Sequence, residues 1–302
     1  MLQNDFIKPE YRDNYWINEE KKALWYIELE LFREFDAVCS KYGIDYFLVG
    51  GALLGAVRHK GFIPWDDDID IGMLRKDYDE FLRIAERAFH APYFVQTGIN
   101  DPDYFDCIIR IRDSNTTGII RKDKNRGCNN GIFIEIFPFD DINPNRMLLK
   151  LQRFKAKYYR NILHYNIYPA AKCDYMRRLI AFYSKLYMKL HRLEKVFWRY
   201  QHWCSRYTAT ECEYVDQLAT IYYDMGVSRY LKKDLARTIT VDFEYLKARV
   251  PIGYDNVLRH QFGDYMKLPP EENRGKHHND IVFYNPYLPY SVYNNAGTEL
   301  PV

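Results

Sequence analysis

The stretch from Phe47 to Met73, FLVGGALLGAVRHKGFIPWDDDIDIGM, constrains this chain more than any other. Within it, Asp68-Ile69-Asp70-Ile71 alternates acid and apolar residue, which predicts a strand over Asp68–Met73. Side chains two apart on a strand share a face, so Asp68 and Asp70 project together while Ile69 and Ile71 turn to the core. Two carboxylates so close cost free energy unless a cation lies between them. Oxygen donors without a nearby thiol or imidazole favour Mg²⁺ or Mn²⁺ over zinc. Upstream, Val49-Gly50-Gly51 ends a short buried strand, Asp45–Val49, and leads into a helix over Ala52–Arg58. Glycine lets a backbone N–H approach a phosphate closely, and a helix N-terminus favours anions. Taken singly, neither a glycine pair nor an Asp-x-Asp says much. Their order, strand, Gly-Gly, helix, loop and acidic strand, points to phosphoryl-transfer chemistry at one site.

A third acid, Glu135, lies mid-strand in GIFIEIFP with apolar residues on both sides. Buried there without a partner it would be expensive, so it reads as part of the same cation site; the bland alternative is an edge-strand acid facing water. Asp66 falls two residues before Asp68 and shares its face if the strand extends back, as a ligand to a second metal. Asp67 then faces away, as a loop or cap residue.

Around this site the chain alternates helices and strands without a regular βαβ rhythm, which predicts an α+β fold on a mixed sheet. Asn18 caps a strong amphipathic helix that carries Leu24, Ile27, Leu31, Phe35 and Val38 and ends at Gly43. A second helix is predicted over Asp77–Phe89. Further strands are predicted at Tyr93–Gln96, Asp106–Arg112, Thr117–Arg121 and Gly131–Phe137. Near the C-terminus, a strand at Thr238–Tyr245 and a helix at Tyr254–Phe262 complete the reading.

Formal charge is +2 overall, which argues against a nucleic-acid-binding surface spread over the molecule. The charge is local instead. From Arg146 to Arg206 there are 15 Lys or Arg and two acids, Asp174 and Glu194, interleaved with Phe182, Trp198, Trp203 and many tyrosines. Helical periodicity runs through this segment with a break near Pro169. Such a composition suits peripheral contact with an anionic membrane, or else a basic face that is merely solvated. Three divisions follow: a catalytic core over 1–144, a basic aromatic helical segment over 145–207, and a C-terminal α/β segment over 208–302 that packs back on the core. No apolar run is long enough to span a bilayer, and the first residues have no apolar core. The expected location is cytoplasmic. The six cysteines form no C-x-x-C pair, which argues against a disulfide framework or a four-cysteine zinc site.

These residues resemble the LicD/fukutin family, a branch of the nucleotidyltransferase-fold superfamily. The resemblance rests on Val49-Gly50-Gly51, on Asp68 and Asp70, and on the whole run LLGAVRHKGFIPWDDDIDIG. It extends to IRIRDSNTT at Ile109–Thr117, GIFIEIFPFD at Gly131–Asp140 and FGDYMKLPPEENRGKHH at Phe262–His278, so it spans Trp25 to His278. The family usually has Asp where this chain has Glu135. The resemblance implies a nucleotidyltransferase-like sheet flanked by helices. It also implies transfer of a phosphorylated small alcohol, phosphocholine first, from a CDP-linked donor to a sugar hydroxyl of a cell-surface glycan, such as lipopolysaccharide, teichoic acid or capsule, releasing CMP. Ribitol phosphate or glycerol phosphate is an alternative cargo, and nucleotidyl transfer from an NTP an alternative reaction; a non-catalytic scaffold is disfavoured because the acids and glycines are present. On this reading Asp68 and Asp70 hold the metal, Glu135 is a third ligand or the general base, and Gly50 and Gly51 hold the donor phosphate. Arg58, His59 and Lys60 are candidates to neutralise the diphosphate, with solvation as the alternative. Arg110 and Arg112 share a strand face and are candidates to reach the nucleotide. His277 and His278 are candidate substrate contacts in a polar loop. The acceptor is a glycan or lipid-linked glycan, and no nucleic acid is expected.

Overall fold

A computed structural model describes residues 5–101, 103–104, 106, 108–124, 126–167, 175–208, 211–218, 229–275 and 281–295. The fold is α+β. In chain order it runs β1 (Glu10–Arg12), β2 (Tyr15–Ile17), α1 (Glu19–Tyr42), β3 (Phe47–Leu48), α2 (Gly50–Arg58), β4 (Asp70–Leu74), α3 (Arg75–Ala88), β5 (Tyr93–Gln96), β6 (Ile109–Asp113), β7 (Thr117–Ile120) and β8 (Ile132–Asp141). It continues with α4 (Arg146–Ile167), α5 (Tyr175–Leu190), α6 (Leu193–Ser205), β9 (Tyr214–Asp216), β10 (Tyr230–Leu231), α7 (Lys232–Leu235), β11 (Thr238–Phe243), β12 (Leu246–Pro251), α8 (Tyr254–Phe262), β13 (Ile281–Asn285) and α9 (Tyr290–Asn295).

Local chemistry sets the first long helix. Asn18 accepts a hydrogen bond from the Lys21 amide at 2.9 Å, and Gly43 closes α1 in the left-handed region at φ 68°. The face carrying Leu24, Leu31, Phe32 and Phe35 is buried, and α1 packs across β6 and β8. β8 organises the mixed sheet. It runs parallel to β4 and antiparallel to β6, and its far end pairs with β9. β3 extends the sheet beyond β4, and β5 beyond β6.

The main core draws on residues from Ile17 to Tyr265, including Val250 on β12 and Leu258 on α8. A smaller cluster joins Ile108 to Ala156, Leu163, Val196 and Tyr200 of α4 and α6. Several short elements escape the sequence reading: the β1–β2 hairpin, β12 as partner of β11, and β13, which pairs with β7. Their strands are short or amphipathic on one side, and their pairing is decided by tertiary contact. The predicted break at Pro169 lies outside the described residues. Cys39, Cys128, Cys204 and Cys212 are buried, and among the described residues no cysteine is in a disulfide; Cys107 and Cys173 lie outside the described residues.

A candidate active site at the Gly-Gly turn

The site forms where α2 begins, beside the start of β4. Gly50 takes φ +56°, and a Cβ there would stand 3.3 Å from Asp70 Oδ2. A Cβ on Gly51 would lie 2.2 Å from Asp66 Oδ2. Glycine is favoured at 50 by the left-handed φ and at 51 by the Asp66 carboxylate packed against it, in addition to any phosphate they admit. The first turn of α2 has no side-chain cap, so its amides remain available to an anion.

The acids converge. Asp66, Asp67 and Asp68 present ligand atoms within 4.8 Å of one another. Asp70 stands in direct register with Glu135 across the parallel β4–β8 pair, and Glu135 stands in register with Arg110 on β6. Burial, then the charges of Asp70 and Asp66, push the Asp68 carboxyl well above the usual carboxylate range. Burial, then Glu135 and Asp66, do the same to Asp70, with Arg110 opposing. Asp70 Oδ1 is buried with no hydrogen-bond partner. A cluster of hard oxygen donors with an orphaned oxygen fits a divalent cation such as Mg²⁺ or Mn²⁺.

The structure corrects two placements. Asp68 precedes β4, which begins at Asp70, so the acids are carried by the irregular segment before the strand as well as by the strand. Asp67 belongs to the cluster with Asp66 and Asp68 and does not face away. This segment is pinned from outside. Trp25 of α1 stacks on Phe62 at 4.6 Å, and its Nε1 donates to the Asp66 carbonyl at 3.0 Å.

Glu135 does not face water from an edge, because β8 has β4 on one side and β6 on the other. Its Oε1 accepts from Arg110 Nε at 2.7 Å, and the same guanidinium reaches Asp123 at 3.3 Å. Arg110 thus abuts the site through Glu135. Arg112 is fully buried, donates to Gln96 and to the Gly131 carbonyl, and is committed to the interior.

Arg58 and His59 bind each other and their surroundings. Arg58 donates to His59 Nε2 at 2.8 Å and to the Tyr265 carbonyl, while His59 Nδ1 meets Asp13 at 2.9 Å. Burial first, and then Arg58, lower the His59 pKa, in keeping with a neutral ring. These two side chains are held by protein partners. Lys60 is exposed, at φ 56°. His277 and His278 lie outside the described residues.

One buried acid beyond these segments is missed by sequence reasoning. Glu28 of α1 is fully buried, and neither carboxylate oxygen has a hydrogen-bond partner. The signal was present: Glu28 sits four residues after Leu24 and three before Leu31, on the helix's apolar stripe.

Residues 43–185 match the family model described as LicD/FKTN/FKRP, nucleotidyltransferase domain. The chain is 30% identical over 267 residues to the lipopolysaccharide cholinephosphotransferase LicD of Haemophilus influenzae, covering 83% of this chain and 92% of that protein. Over 46 residues it is 52% identical to the human ribitol 5-phosphate transferase FKRP, spanning 9% of that longer protein. An uncharacterised Rickettsia typhi protein is 39% identical over 84 residues.

Proposed function

The chain belongs to the LicD/FKTN/FKRP family and is a phosphoalcohol transferase, and on that premise we propose that it moves phosphocholine from CDP-choline to a sugar hydroxyl, releasing CMP. The observation that carries this reading is the convergence of Asp66, Asp68, Asp70 and Glu135 at the uncapped start of α2. Asp68 and Asp70 would hold a divalent cation, with Asp66 and Glu135 completing the donor set. A cation there would neutralise charge on the donor diphosphate and on the departing CMP. The amides that follow Gly50 and Gly51 approach the donor phosphate closely because neither residue carries a Cβ. Arg110 holds the Glu135 carboxylate in position. In the reaction the acceptor oxygen forms a bond to the phosphorus that carries the choline. The bond from that phosphorus to the bridging oxygen breaks, CMP departs with the electron pair, and the hydroxyl proton passes to a carboxylate of the cluster or to solvent. Similarity to a cholinephosphotransferase over most of both chains favours choline over ribitol as cargo. Incubation with CDP-choline and, separately, with CTP tests the reading: CMP from the first supports it, and pyrophosphate from the second alone supports nucleotidyl transfer.

The acceptor proposed is a glycan or lipid-linked glycan of the cell surface, met at the cytoplasmic face of the membrane. Among the described residues no helix is long and apolar enough to cross a membrane. The surface of α5 suits peripheral contact: Met176, Phe182 and Leu190 are exposed beside Arg177, Arg178, Lys185 and Lys189, and only Ala181 and Ser184 of this helix are buried. Apolar side chains ringed by cations fit the interface of an anionic bilayer.

A further inference from the structure

We infer that Glu28, on the long N-terminal helix α1, is a further carboxylate of the cation centre, so that the centre is closed by a residue outside the Gly-Gly and Asp-x-Asp segments. The inference rests on the cation reading of the site given above. Lys21, Trp25 and Glu28 follow one another at helical spacing, so they share a face of α1. Trp25 fixes where that face lies, because its Nε1 donates to the carbonyl of Asp66 at 3.0 Å. Glu28, one turn further along, is fully buried, and neither of its oxygens has a hydrogen-bond partner. The charges acting on it are those of Asp67, Asp66 and Asp70, together with Lys21. Asp70 adds a third orphaned oxygen, Oδ1.

Packing alone does not account for an acid here. Leu24, Leu31 and Phe35 lie above and below it, with Lys21 two turns back along the same face, and leucine would satisfy the packing without desolvating a carboxyl. A protonated carboxyl would still leave a donor and an acceptor unsatisfied in the interior. A divalent cation shared with Asp66 and Asp70 satisfies the orphaned oxygens and offsets the like charges at once.

The test is Mn²⁺ binding to the purified, chelator-stripped protein by calorimetry, with melting temperature measured in parallel on the metal-free samples. Glu28→Gln keeps shape and removes charge. It should weaken Mn²⁺ by about tenfold or more, at least the loss that outer-shell partners of metal sites cause, while the metal-free variant melts no lower than wild type. Glu28→Asp, which withdraws the carboxylate by one methylene, should weaken binding less than Glu28→Gln, and it carries the test alone if Glu28→Gln does not fold. Wild-type affinity and stoichiometry in a folded Glu28 variant would overturn the inference and leave the rest of the centre standing. Absence of Mn²⁺ binding by the wild-type protein would instead overturn the cation reading itself.

Discussion

Asp70 and Glu135 stand opposite each other across the parallel pairing of β4 and β8, and Arg110 continues the same row on β6. Register partners in adjacent strands put their side chains on one face, so a single line across three strands sets two carboxylates and the guanidinium that steadies one of them. Removing charge while keeping shape should therefore separate chemistry from folding. Asp68→Asn and Asp70→Asn should each lower turnover by at least about a hundredfold, the scale of losing a principal electrostatic group, with circular dichroism unchanged. Glu135→Gln should be severely impaired, whereas Glu135→Asp should retain measurable turnover. Normal metal binding and turnover in Glu135→Gln would make that residue structural.

Gly51 is the second point of leverage. A methyl there would occupy space 2.2 Å from Asp66 Oδ2, so one of the two must move. Gly51→Ala should destabilise the fold by about 1–3 kcal/mol, the usual cost of overpacking, and reduce turnover by displacing Asp66. Thermal melting and turnover measured on the same preparation check it; an unchanged protein would mean that the turn relaxes freely.

The site's pH dependence follows from the direction of its pKa shifts. Asp68, Asp70 and Glu28 are all raised above the usual carboxylate range, chiefly by burial. The metal-free folded state therefore holds more protons than the unfolded chain, and these groups destabilise it as pH rises above that range through the raised values. Metal competes with those protons, so stabilisation by Mg²⁺ or Mn²⁺ should grow with pH. Melting curves from pH 5 to 8, with and without Mn²⁺, should diverge upward in pH. Asp70→Asn should shrink that divergence, and parallel curves in wild type would contradict the assignment.

How much of this was legible beforehand differs from element to element. Asn18 and Gly43 delimit α1 by capping chemistry that depends on a few neighbouring residues, and α8 was marked by its own periodicity. The grouping of Gly50, Gly51, Asp68, Asp70 and Glu135 was legible because strand alternation and a glycine turn are also local signals. The placement of Asp67 was not, since Asp66–Ile69 is irregular backbone where a strand was extrapolated, and the alternation rule holds only within a strand. Glu28 was passed over because a single acid on a helix ordinarily faces water; only the packing of α1 across the sheet puts it inside. Arg58 and His59, adjacent cations in a conspicuous motif, turned out to be held by Tyr265 and Asp13, partners too distant in sequence to foresee.

The exposed apolar and basic surface of α5 leads to a separate expectation. The protein should co-sediment with anionic liposomes at low salt, bind neutral ones weakly, and be released from the anionic vesicles near 0.5 M salt, because surface attraction is screened within a Debye length. Phe182→Ser combined with Leu190→Ser should weaken sedimentation, since both side chains are exposed and contribute little to the fold. Failure to bind anionic vesicles at low salt would leave α5 as a solvated face.

The most direct measurement offers the purified protein CDP-choline, CDP-ribitol, CDP-glycerol and CDP-ethanolamine in turn, with a glycan acceptor, and follows CMP in Mg²⁺ and in EDTA. CMP release should be fastest from CDP-choline, dependent on the cation and lost in Asp70→Asn. Undiminished release in EDTA, or pyrophosphate from CTP with no CMP from any CDP-alcohol, would contradict it.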